Sequence, residues 1–130
     1  MRIIPVKINE GDVVHRSIEE YIRRNSLKGG IITGIGGLME AVIGFYSPES
    51  KTYLEKRIES SGSVIEVASL QGNYLVKRNG EVSIHIHVVA GFENTTVAGH
   101  LIHGTAKPML EVFLIEIGEA VGETFIHRAR

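Results

Sequence analysis

The sequence has no cysteine, which removes disulfides, Cys-ligated metal sites and thiol nucleophiles together. It also lacks a surplus of either charge: 14 basic residues stand against 15 acidic ones, for a net charge of −1 and a pI near 6.6. Proteins whose main task is gripping phosphates carry a basic footprint, so nucleic-acid binding is disfavoured. No apolar run approaches the length of a membrane span. The first one is short and interrupted by Pro5 and Lys7, unlike a signal peptide, so a cytoplasmic protein with no membrane partner is the expectation. Internal repeats, heptads, low-complexity segments and shifts in composition are missing too. With 43% apolar residues in 130, the whole chain, 1–130, reads as one globular domain with one core.

What is present is mostly strand. Residues 2–8 read as a first strand, and after the turn at 9–11 Asp12 is the expected N-cap of a helix running to about Asn25. Val14, Ile18, Tyr21 and Ile22 form its apolar stripe. Arg23 and Arg24 sit in a solvated last turn that complements the helix dipole, and His15 is expected to be exposed. Residues 27–37 read as a strand entering the glycine-rich bend Gly34-Ile35-Gly36-Gly37, and 38–46 as the next strand. Because strand, not helix, follows, the glycines are read as room for a tight turn or a close neighbour rather than a phosphate cradle. Residues 51–58 form a charged edge strand. Residues 64–70 and 73–77 flank an expected bulge at Gln71-Gly72, and Asn79-Gly80 predicts a type I′ turn. A last strand at 110–117 precedes a polar-leaning tail, 118–130. The count predicts an α+β fold: one main helix and a largely antiparallel mixed sheet of about seven or eight strands. Its edges would be covered most simply by self-association.

The chemistry concentrates in 82–104, which holds four of the six histidines. His85 and His87, at i and i+2 in a β-branched run, project from one face, with Ile84, Ile86 and Val88 on the other. A two- or four-residue loop centred on Glu93 and Asn94 sets His100 directly opposite His87, so three imidazoles converge. A loop one residue longer instead brings His103 opposite His85 and turns His100 away. Gly99, which lets the strand bend, favours His100. Neutral imidazoles are the commonest metal ligands, and three with an open fourth position suit a Zn site or another divalent transition metal.

Several stretches together resemble the plant-and-prokaryote conserved (PPC) domain: GIGG at 34–37 followed by AVIGFYSPESKTY, EVASLQGNYL at 66–75, HIH at 85–87, AGHL at 98–101 and EVFLIEI at 111–117. The resemblance covers nearly the whole chain. It implies a compact α+β fold, a homotrimer, and a metal site formed by His85, His87 and His100. The chain departs from that pattern in a hairpin loop about one residue shorter, and in having His103 where Glu is often found, which makes His103 an extra candidate ligand. Prokaryotic members have been labelled DNA-binding, but the Arg-Gly-Arg-Pro hook is missing here. The fold implied is also similar to acetolactate decarboxylase, a metal enzyme with three histidines, and on that likeness Glu66, Glu111 and Arg57 are the candidate catalytic partners for a small carbonyl acid. The readings carried forward are a trimeric metal- or small-ligand-binding domain, a decarboxylase-like enzyme, a nucleic-acid-associated oligomer and a scaffolding trimer.

Overall fold

The computed structural model describes residues 2–127. In chain order the elements are β1 (Ile3–Asn9), α1 (Val14–Arg24), β2 (Gly29–Ser47), β3 (Thr52–Glu59), β4 (Ile65–Val76), β5 (Val82–Phe92), β6 (Thr95–Glu116) and α2 (Ala120–Thr124). The six strands lie in the order β1-β6-β5-β4-β2-β3, and β6 pairs additionally with β2. That extra ladder closes β6, β5, β4 and β2 into a ring, leaving β1 and β3 at the margins. Every pairing among the described residues is antiparallel, so the fold is α+β in class but its sheet is not mixed in direction.

Among the described residues there are six strands, not the expected seven or eight, because anticipated breaks do not interrupt the chain. Residues 29–47 run through the GIGG stretch as one strand, with a register shift between Gly34 and Gly36. The glycines there serve a close neighbour and not a turn: a Cβ on Gly36 would stand 2.4 Å from the Met109 carbonyl oxygen, and one on Gly37 2.2 Å from that of Lys107. β4 likewise runs unbroken through Gln71 and Gly72, its irregularity falling between Val67 and Ser69 instead. The return segment that carries His100 and the anticipated strand at 110–117 are two parts of the single β6.

The stripe of α1 packs as its spacing predicts, with Val14, Ile18 and Ile22 fully buried and Tyr21 against the core. Its entry differs from expectation. Residues 11–13 are bound to β6, through Gly11 N–H to Ala106 O, Ala106 N–H to Asp12 O and a bridge from Val13 to Thr105. The chain therefore arrives extended, and Val13 rather than Asp12 is the N-cap, without a side-chain cap. His15 is half-buried, not exposed. At Asn79-Gly80, Gly80 alone of the pair takes positive φ, 88°, and its N–H bonds to Lys77 O, so this is a longer loop than a type I′ turn. Among the described residues no helix is long and apolar enough to cross a membrane.

The tail is more ordered than its composition suggests. Ile117 and Gly118 donate their N–H groups to the Gly29 carbonyl, Val121 of α2 is buried, and the segment continues to His127. Residues 128–130 of the anticipated tail lie outside the described residues, as does Met1.

Candidate metal centre

The hairpin of β5 and β6 turns through Glu93 and Asn94 in the shorter register: Phe92 pairs with Thr95, and His87 with His100. Glu93 takes the positive φ, 55°, that this tight turn needs. Ile84, Ile86 and Val88 are buried on the core side. His85 and His87 point outward with His100, their rings 5.1, 5.2 and 5.6 Å apart by centroid.

One ligand nitrogen from each of these three rings lies within 4.8 Å of the others. Around a tetrahedral Zn with Zn–N bonds of about 2.0–2.1 Å, such nitrogens stand roughly 3.3 Å apart, so modest ring rotations bring the set to bonding distance. The donor set fits a divalent metal, and the cluster could hold one. The three rings differ in exposure. His100 is 4% exposed and stacked on Tyr53 at 4.8 Å with an interplanar angle of 22°, while His85 is half-buried and His87 exposed. Tyr46 abuts Tyr53 edge-on, extending the aromatic support. One ring is thus fixed by packing, and the approach to the cluster is from the exposed side.

His103 does not join them. A register shift between Val42 and Ile43 breaks the alternation of β6 after Leu101, and His103 Nε2 lies 3.4 Å from Glu40 Oε1. The same carboxylate accepts Arg57 Nη2 at 2.7 Å, and Arg57 Nε donates to Glu59 at 3.0 Å. The hydrogen bond to Glu59 and the charges of Glu40 and Glu59 raise the already high Arg57 pKa further, so the guanidinium stays charged. Glu66 and Glu111 are exposed on strands away from the cluster. Glu66 pairs with Gly37 and Gly91, and Glu111 with Lys7 and Ile35.

The residues that sequence reasoning passed over are Asn73, Ser83 and His127. Asn73 lies directly across from His85 in the β4–β5 ladder, and Ser83 precedes His85 by two on the same face. His127 reaches both, with Nε2 2.6 Å from Asn73 Oδ1 and Nδ1 2.6 Å from Ser83 Oγ, and its ring meets that of His85 edge-on at 5.5 Å. Period-two alternation and the EVASLQGNYL stretch could have placed Asn73 and Ser83 on this face. Nothing in a tail without periodicity marks His127.

Comparison with known proteins agrees with this architecture. A plant- and prokaryote-conserved (PPC) protein of Pyrococcus horikoshii is 31% identical, over 89% of this chain and 78% of that one, with a TM-score of 0.80. A metal-containing protein of Archaeoglobus fulgidus is 28% identical over 91% and 81% of the two chains, TM-score 0.81. A Staphylococcus aureus protein of unknown function, similar to alpha-acetolactate decarboxylase, shares the fold alone, at 9% identity over 88% of this chain and 52% of that one and a TM-score of 0.64. No curated protein matches. The model of the Plants and Prokaryotes Conserved (PCC) domain matches residues 1–118, and the chain belongs to that family.

Proposed function

We propose that this protein is a metal-binding homotrimer in which His85, His87 and His100 hold one zinc ion per chain and leave a coordination position open to a small ligand. The observation that carries the reading is the convergence of three imidazoles from one hairpin, with His100 buried against Tyr53. A divalent metal there supplies Lewis acidity toward a ligand oxygen. The metal-containing Archaeoglobus relative supports the reading.

Assembly is supported by what surrounds the cluster. Directly opposed residues point to one side of a sheet, so the ladders line up Phe113, Thr33, Gln71, His87 and His100 in one outward row, and Ile3, Ile115, Ile31, Asn73 and His85 in another. Ile3, Ile31, Ile35 and Phe113 are 55, 40, 55 and 47% exposed. Exposed apolar groups gathered on one sheet face mark a surface that other protein covers. Ile31 and Ile35, on β2, are separated from the β5 histidines by β4 alone, so a second copy seated on this patch borders the site.

The test is metal content by plasma mass spectrometry on the untagged peak from a sizing column with light scattering. We expect about one zinc per chain in a particle of three chains, with the metal lost in His85→Ala and His100→Ala while the fold is kept. Metal-free protein that takes up no zinc at neutral pH overturns the reading.

A further inference from the structure

We propose that His127 is a positioning residue for the three-histidine cluster: it holds the His85 ring from a C-terminal strap lying beyond the residues matched by the family. The inference rests on the metal reading above and adds a part to that site. The strap has an anchored course. It leaves β6 at Glu116, is pinned by Ile117 and Gly118 to the Gly29 carbonyl, buries Val121, passes Leu75 and Val76 at Gly122, and ends on the outward face of β4 and β5.

The hydrogen bonds at its end define the chemistry. Asn73 Oδ1 can only accept, so His127 Nε2 carries the proton and donates to it at 2.6 Å. In the neutral ring Nδ1 then accepts from the Ser83 hydroxyl, at 2.6 Å. Both nitrogens are committed, so the docked His127 does not serve as a fourth ligand. Its partners flank His85 on either side, one across the ladder and one along the strand, and the ring they hold packs edge-on against His85 with an interplanar angle of 75°. His85 thus meets three rings: those of His87 and His100, its partners in the cluster, and that of His127. This complements the other end of the cluster, where Tyr53 clamps His100. Groups outside the ligand set that fix a ligand ring commonly contribute 10- to 100-fold in metal affinity.

The experiment uses the full chain and two readouts. In metal-free protein, the His85 ring signals in a long-range proton–nitrogen spectrum should broaden in His127→Ala and in Asn73→Ala, while those of His100 stay sharp. Zinc titrated against a chromophoric chelator should bind roughly 10- to 100-fold more weakly in both variants, and the visible bands of the cobalt-loaded protein should keep the intensity of the wild type. His85 signals that stay sharp in both variants overturn the positioning role whether or not metal binds. Unchanged zinc affinity also overturns it, and a cobalt spectrum showing a lost ligand would make His127 a ligand instead. Wild-type protein that binds no zinc refutes the metal reading alone, since the ring-broadening test still stands.

Discussion

At Tyr74 the fold encloses a phenol with no exposed surface, its hydroxyl donating to Glu116 Oε1 at 2.8 Å. The same carboxylate accepts the backbone N–H of Lys28 and Gly29, tying the start of β2 to the end of β6. Burial, then the hydrogen bond to Glu116 and its charge, push the Tyr74 pKa well above its usual 10.0. The folded pKa exceeds the unfolded one, so this stabilisation is complete below about pH 10 and is lost as the pH climbs toward the folded value. Tyr74→Phe should cost about 1–2 kcal/mol at pH 8. In urea titrations the gap between wild type and variant should narrow between pH 8 and pH 11, and a constant gap would contradict the assignment. Residues of this kind divide sharply in how far the sequence reveals them. His85, His87 and His100 were legible because strand period and a two-residue turn fix their directions. His127 was not, since its place depends on where the short helix α2 packs across β2 and β4. His103, the alternative that a longer loop would have brought opposite His85, lies beside Glu40 instead.

Helix α1 could be read from its stripe alone, because period 3.6 with three buried positions has few alternative explanations. The long strands could not. Glycine signals both a turn and a near neighbour, and only tertiary pairing decides between them. Gly72 shows the second case in the middle of β4, where an added Cβ would stand 1.9 Å from the His85 carbonyl oxygen. Main chain cannot swing aside as a side-chain tip does, so Gly72→Ala should lower stability by about 3 kcal/mol and displace the strand that carries two of the three histidines. Urea denaturation measures the first effect and zinc affinity the second. A variant with wild-type stability would show that the two strands part more easily than their packing implies. The same ambiguity had divided β2 and β4 into four expected segments.

At the scale of the whole molecule, the outward patch of Ile3, Ile31, Ile35 and Phe113 is the feature that composition hid, since a net charge of −1 and ordinary apolar content give no hint of a one-sided surface. Phe113 is 47% exposed in the isolated chain and contributes little to its core, so Phe113→Lys should leave the fold intact while shifting the light-scattering mass toward the 14.3 kDa of one chain. Mass unchanged by that substitution would place the contact between copies elsewhere. The hairpin of β5 and β6 has one more consequence, in the order of folding. The entropy of closing a loop rises with the length of chain enclosed, and the ladder that shuts the ring must join Gly30 to Glu116, far apart along the chain. The three imidazoles, by contrast, meet across a two-residue turn. The site is assembled from contacts far more local than the ladder that closes the ring, so its three candidate donors can meet before the ring has closed.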